Sequence, residues 1–223
     1  RIEWWKPGQG DAVPTYSQVS LSSSDLTWET TTQTNIGMDL TVFQSRLTMN
    51  LDYYFKRTTD MLMWVTLPAG SAAVNSIQRN EGEMTNRGIE LSMSSKNLIG
   101  DFKWTTDFNI SHNKNRLESL VFKQVYYDAR VTDILSDYAV KNMPGRPLGG
   151  FWGYESAGVD PETGELMYVD KNNDGVVNAS DRTYIGDPNP DFTYGMTNIF
   201  SYKNFNLSIL LQGTYGNDIF NVS

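Results

Sequence analysis

The chain has no cysteine among its 223 residues. This excludes disulfides, thiolate metal sites and cysteine nucleophiles, and leaves the redox compartment open. It has one histidine, His112, so a Ser-His-Asp triad has a single candidate and a multi-histidine zinc site has none. Basic residues are outnumbered, 18 against 26 acidic, for a net charge of −8 and a sequence pI near 4.6. Phosphate binding draws on an excess of Lys and Arg, so nucleic acid is not an expected partner. Long apolar runs are scarce too: the hydrophobic fraction is 39% and the mean hydropathy −0.44. No window approaches the ~20 apolar residues of a membrane-spanning helix. No secretory signal opens the chain, which begins at Arg1, so an internal piece of a longer protein is expected.

What the chain does have is a period of two. Ile36, Met38, Leu40 and Val42 share one parity against Asn35, Gly37, Asp39 and Thr41. After a turn at 43–45, Leu47, Met49, Leu51, Tyr53 and Phe55 oppose Thr48, Asn50, Asp52, Tyr54 and Lys56. Ile89, Leu91 and Met93 then oppose Glu90, Ser92 and Ser94. Beyond a turn at 97–101, Phe102, Trp104, Phe108 and Ile110 oppose Lys103, Thr105, Asp107, Asn109 and Ser111. Phe192, Tyr194, Met196 and Phe200 lead to a turn at 203–204, and Phe205, Leu207, Ile209 and Leu211 return. Asn198 and Leu210 break the pattern. Such alternation predicts antiparallel strands with one apolar and one polar face. The hairpins are expected at about 34–57, 87–113 and 192–216, separated by long connections at about 58–86 and 114–191.

Short turns alternating with long loops suit a transmembrane β-barrel with large extracellular loops. Its apolar parity would meet lipid and its polar parity an aqueous lumen, where Asn50, Asp52, Asp107 and Asn109 would tune permeation. A soluble carbohydrate-binding β-sandwich alternates in the same way, with the apolar face turned into a core.

Residues 170–181 match the twelve-residue calcium loop D-x-[DN]-x-[DN]-G-x5-E, with Asp in place of the closing Glu. The expected ligands are Asp170, Asn172, Asp174, the Val176 carbonyl, Asn178 and Asp181, and Gly175 permits the sharp turn. Calcium there would be structural. An ordinary Asx-rich turn is the competing explanation.

Other candidates are weaker. Trp152 and Tyr154 are placed to stack on a sugar ring, or to pack as a strand or interfacial girdle. Trp104, Tyr202 and Phe205 lie near turns, where membrane aromatics anchor. His112, read on the polar parity, is a lumen or interface residue rather than a general base. No carboxylate pair has a defined separation, so no catalytic residue is nominated and the chain is not expected to be an enzyme.

Several segments resemble the SusC/RagA family of TonB-linked outer-membrane transporters of Bacteroidetes. These are residues 26–39, LTWETTTQTNIGMD; residues 86–90, NRGIE; and residues 145–149, GRPLG, continuing through the acidic loop to 185–195, IGDPNPDFTYG. The resemblance implies an all-β, antiparallel segment of a 22-stranded barrel, here without its plug domain. It also implies an outer-membrane location, energisation through TonB in the missing N-terminal region, and a SusD-like surface lipoprotein as partner. Import of oligosaccharides, or of peptides in some members, is the implied function.

Overall fold

The computed structural model of the chain describes residues 25–65, 76–120 and 139–221, and the backbone alone of 2–5, 13–16, 66 and 125–127. Six long strands build one sheet: β1 (Thr30–Val42), β2 (Leu47–Thr59), β3 (Gly82–Ile99), β4 (Phe102–Leu120), β5 (Phe192–Tyr202) and β6 (Phe205–Tyr215). They pair antiparallel in chain order, and β1 and β6 are its two edges. An 11-residue strand such as β5 reaches about 36 Å at ~3.3 Å per residue, and about 26 Å in depth when tilted by ~45°. That suffices for the outward apolar band of a membrane barrel.

The register turns the alternation into rows. One outer row runs Met38, Leu51, Leu91, Ile110, Tyr194, Gly213, and the next runs Leu40, Met49, Met93, Phe108, Met196, Leu211. Between them on the other face runs Asp39, Asn50, Ser92, Asn109, Gly195, Gln212. On the edge strands this face is open, Ile36 being 68% exposed and Leu211 51%, while Leu91, Met93, Phe108 and Ile110 in the middle of the sheet are half-buried by their neighbours in the rows. Among the described residues the buried apolar side chains are Met63, Val65, Leu117 and Ala139, and none belongs to these rows. A sandwich buries a continuous sheet face against a second sheet. The soluble sandwich is therefore overturned.

Two expectations about detail change. The second turn is Gly100–Asp101 rather than 97–101, because the strand continues through a bulge between Lys96 and Leu98. The Asn97 side chain bonds Ser95 and Thr106 at 2.6 and 2.8 Å, and its carbonyl accepts the Arg46 guanidinium at 2.6 Å. His112 stands in the apolar row with Tyr53 and Ile89, not on the polar parity. It is two residues from Ile110, and at the row's end its Nδ1 meets the Asp191 carbonyl. The first turn holds Phe43, Gln44 and Ser45 at positive φ of 56°, 58° and 62°.

The strands also reach further into the long connections than the alternation predicts. The β3–β4 pairing extends to Gly82 opposite Leu120, whereas β5 leaves β4 at Thr193 opposite Ser111. The end of β4 therefore projects beyond β5 on the long-loop side, level with the ends of β1 to β3. The connections contain sheet of their own. Leu62–Thr66 pairs with Ser76–Asn80 in the first. In the second, Val125–Tyr127, Val140–Asn142, Phe151–Gly153 and Thr183–Gly186 form a four-stranded sheet. A ribbon of Ser156–Val159 with Leu166–Tyr168 follows Gly153.

Candidate functional site: a polar wall and a latched rim loop

The polar face gathers the four expected lumen residues. Asn50 and Asn109 share the row from Asp39 to Gln212, and Asn50 Nδ2 donates to Asp39 Oδ1 at 2.5 Å. Asp52 stands opposite Gly37 and Glu90. Gly37 is needed there: a Cβ would come 2.6 Å from Asp52 Oδ1. Asp107 lies between Ser94 and Thr197. Asn109 leans over Gly195, where a Cβ would meet its Nδ2 at 3.1 Å. Gln33, Asn35, Asp52, Tyr54, Lys56 and Glu90 line a shallow hollow of about 280 Å³. Amides, hydroxyls and carboxylates at these positions can exchange hydrogen bonds with a hydrated solute.

Near the short turns the outer face carries the expected aromatic belt. Trp104 and Phe200 stack at 5.7 Å, Phe102 and Phe200 at 6.2 Å, and Phe205 is largely exposed. Asn198, which breaks the apolar parity, accepts from Trp104 Nε1 at 2.9 Å and Thr106 Oγ1 at 2.7 Å. Its carbonyl is thereby satisfied without water.

On the opposite side the second long loop is latched to the wall. Leu117, fully buried where β4 extends past β5, donates its N–H to the Arg146 carbonyl and accepts from Gly145. Gly145 holds φ +87°, which suits glycine. Asn115 accepts from Leu148 N at 2.8 Å and donates to Asn189 Oδ1 at 2.9 Å. Asn189 Nδ2 donates to the Leu148 carbonyl at 3.0 Å and to Asp187 Oδ1 at 2.7 Å. Asp218 Oδ2 accepts from Asp187 N at 2.8 Å, which ties the end of β6 to the same knot. Sequence reasoning missed these residues as a site. The available signal was the density of Asn and Asp around the prolines of 187–191.

Trp152 and Tyr154 sit inside this loop, half-buried. The Lys141 ammonium lies 3.5 Å from the Trp152 ring centroid and Tyr184 packs edge-on at 5.3 Å. Arg182 lies over Tyr154, with Tyr168 at 5.7 Å. Each ring thus carries a cation on its π surface, a contact that orders the loop. Burial also pushes the Tyr184 hydroxyl up, and it donates to the Lys141 carbonyl at 2.7 Å.

The acidic loop is curled by its own backbone. Asp170 accepts from Asp174 N at 3.3 Å and Gly175 N at 2.7 Å, Asn172 from Asp174 N at 2.9 Å, and Asp174 from Val176 N at 2.9 Å. Gly175 takes φ +86°, as the sharp turn requires. Asn178 caps the turn Ala179–Asp181 and donates to the Val176 carbonyl at 3.0 Å. Asp181 is fully buried and accepts from Asn178, Lys171 and Asn172 N–H groups at 2.8, 2.9 and 3.3 Å. The Asn178 bond foremost holds its carboxyl below the usual carboxylate range. The oxygen donors and the curl suit a hard cation. The acidic side chains themselves are not gathered: among the described residues no three His, Asp or Glu stand close enough to hold a metal.

Comparison with known proteins agrees with this architecture. Residues 5–221 match the family model for the TonB dependent receptor-like β-barrel. TonB-dependent receptor P3 of Formosa agariphila is 35% identical over 90% of this chain, and SusC of Bacteroides thetaiotaomicron 29% over 95%. The chain spans 22% of the length of each. The RagAB peptide importer in its open-open state superposes over 97% of this chain and 23% of its own, with a TM-score of 0.79 and 25% identity. These relatives are receptors and transporters, not enzymes. With its outward apolar rows, its polar rows and its loop-side latch, the chain belongs to the TonB-dependent receptor β-barrel family.

Proposed function

We propose that the intact protein imports nutrients across the bacterial outer membrane, and that this chain supplies part of its barrel wall. The observation that carries the reading is the separation of rows, apolar outside, polar inside. Rows of that kind suit a wall with acyl chains on one side and water on the other. The cargo is an oligosaccharide: Asn50, Ser92, Asn109 and Gln212 give the wall amides and a hydroxyl at one level, suited to sugar hydroxyls. Energy enters through TonB, and a SusD-like surface lipoprotein closes the loop side. No covalent step is involved.

A peptide cargo is the second reading, favoured by the peptide importer that the chain resembles. Uptake of fluorescent oligosaccharides and peptides by cells carrying the intact receptor separates the two. The expected result is TonB-dependent entry of oligosaccharide. Entry of peptide alone replaces the cargo, and a receptor that extracts into aqueous buffer without detergent removes the reading.

Calcium is proposed for the loop at 170–181 on its donor set: Asp170, Asn172, Asp174, the Val176 carbonyl, Asn178 and Asp181. The ion would stiffen the rim and take no part in chemistry.

A further inference from the structure

The outer face of the wall does not stay apolar up to its long-loop end. Above Tyr53, Ile89 and His112 the next outer row runs Thr34, Phe55, Arg87, Lys114, and the one after it Thr32, Arg57, Thr85, Arg116. Successive residues of a strand alternate faces, so these side chains share the face of Leu51, Leu91 and Ile110. Four cations thus stand on β2, β3 and β4 of a chain whose net charge is −8. Their height is defined by the strand. Lys114 lies ten residues along β4 from Trp104 in the aromatic belt, about 33 Å at ~3.3 Å per residue and about 23 Å in depth at a ~45° tilt. The outward apolar band of a membrane barrel is about 25 Å tall. Arg87 and Lys114 therefore emerge where the acyl chains of the outer leaflet end.

The carboxylates of this face are taken by the other two cations. Glu83 accepts Arg57 Nε at 2.6 Å and Nη2 at 2.9 Å. Glu118 accepts Thr85 Oγ1 at 2.6 Å and pairs with Arg116 at 3.4 Å. Arg87 and Lys114 stand directly opposite one another, both exposed, and among the described residues no carboxylate pairs with either. Like charges facing across a ladder repel. The inner face differs at a neighbouring level, where Lys56 shares its hollow with Asp52 and Glu90. An anion seated between Arg87 and Lys114 turns repulsion into attraction, and the guanidinium fork fits two oxygens of a phosphate. Directly below, Tyr53 and Ile89 are exposed and apolar. A lipid with a headgroup phosphate carries both complements in one molecule.

We infer that Arg87 and Lys114 clamp the headgroup phosphate of an anionic outer-leaflet lipid whose acyl chains lie along Tyr53, Ile89 and the rows below. The inference rests on the chain being barrel wall, as proposed above. The test uses the intact receptor in nonionic detergent, with a photo-reactive benzoylphenylalanine in place of Phe55, the neighbour of Arg87 in the row. Diphosphoryl lipid A is the probe, and the adduct is measured by mass spectrometry. Arg87→Gln/Lys114→Gln removes two charge-assisted contacts and should cut the adduct by at least about tenfold. Arg87→Lys/Lys114→Arg keeps both charges and should retain it, which separates lost charge from lost folding. Lipid A stripped of its phosphates should label as poorly as the Gln variant does. Equal labelling by the stripped lipid, undiminished labelling of the Gln variant, or an adduct with protein alone in the native membrane overturns the lipid site. A receptor that leaves the membrane without detergent overturns the wall reading as well.

Discussion

The six-stranded wall and the rim loop behind it are held by opposite means. In the wall, long backbone ladders carry the structure, and the outer side chains touch their neighbours within the sheet but no second layer among the described residues. In the loop the ladders are three or four residues long, and side chains bonded to distant backbone make the connections. The wall therefore depends on its solvent, because its apolar rows are satisfied only by lipid. The loop depends on particular donors and acceptors.

Neighbouring substitutions in one strand give the sharpest way to break this contrast. Leu91→Arg places a charge in the middle of an outer row and should cost about 2–4 kcal/mol of folding into bilayers. Ser92→Arg, one residue along but on the inner face, should change folding by less than about 1 kcal/mol and alter permeation instead. Heat-modifiable gel migration of the intact receptor reads the first, and solute flux the second. Equal costs at the two positions would mean that the faces do not see different solvents.

The next largest effect belongs to the latch. Asn189→Leu leaves the Leu148 carbonyl and the Asn115 amide without their partner, a loss of about 1–3 kcal/mol. Proteases should then cut the loop while the wall stays intact. Loss of the whole barrel instead would show that loop and wall are one cooperative unit.

Acid should act on the loop as well. The folded pKa of Asp181 is depressed, so its stabilisation is fully present above the ordinary carboxylate value of about 3.9 and fades as pH falls below it. Amide exchange at Lys171, Asn172 and Asn178, corrected for intrinsic pH dependence, should stay protected from pH 7 to 5 and rise below about 4. Loosening already at pH 6 would assign the loop's closure to another group. The smallest effect is that of chelation, which should lower the loop's melting temperature by roughly 2–4 °C. Identical scans with and without chelator remove calcium from the loop.

The wall could be read from sequence because each residue reports its own face. Ile36, Met38 and Leu40 alternate with Gly37 and Asp39 whatever lies beyond the next strand. His112 is a polar ring at an apolar-parity position, two residues from Ile110, so its residue type and its spacing point to opposite faces. Asn97 has the residue type of a turn, whereas its amide reaches Thr106 across the hairpin and the strand runs on through a bulge. The latch was illegible for a different reason. Asn115 and Asn189 are 74 positions apart, and Asn189 and Leu148 are 41. No local period encodes such pairs, and Asn near Pro reads as an ordinary turn. In the acidic loop the spacing named the oxygen donors but not the backbone N–H groups that they also accept from.

The two edge strands of the sheet, β1 with 13 residues and β6 with 11, offer their outer backbone groups to no strand among the described residues. Both are flanked by greasy side chains, so a copy made on its own in water has every incentive to zip onto another. Overproduced alone, this segment should collect in inclusion bodies as stacked, cross-β material. Closing the ring in the intact receptor is thus what keeps it from becoming a fibre.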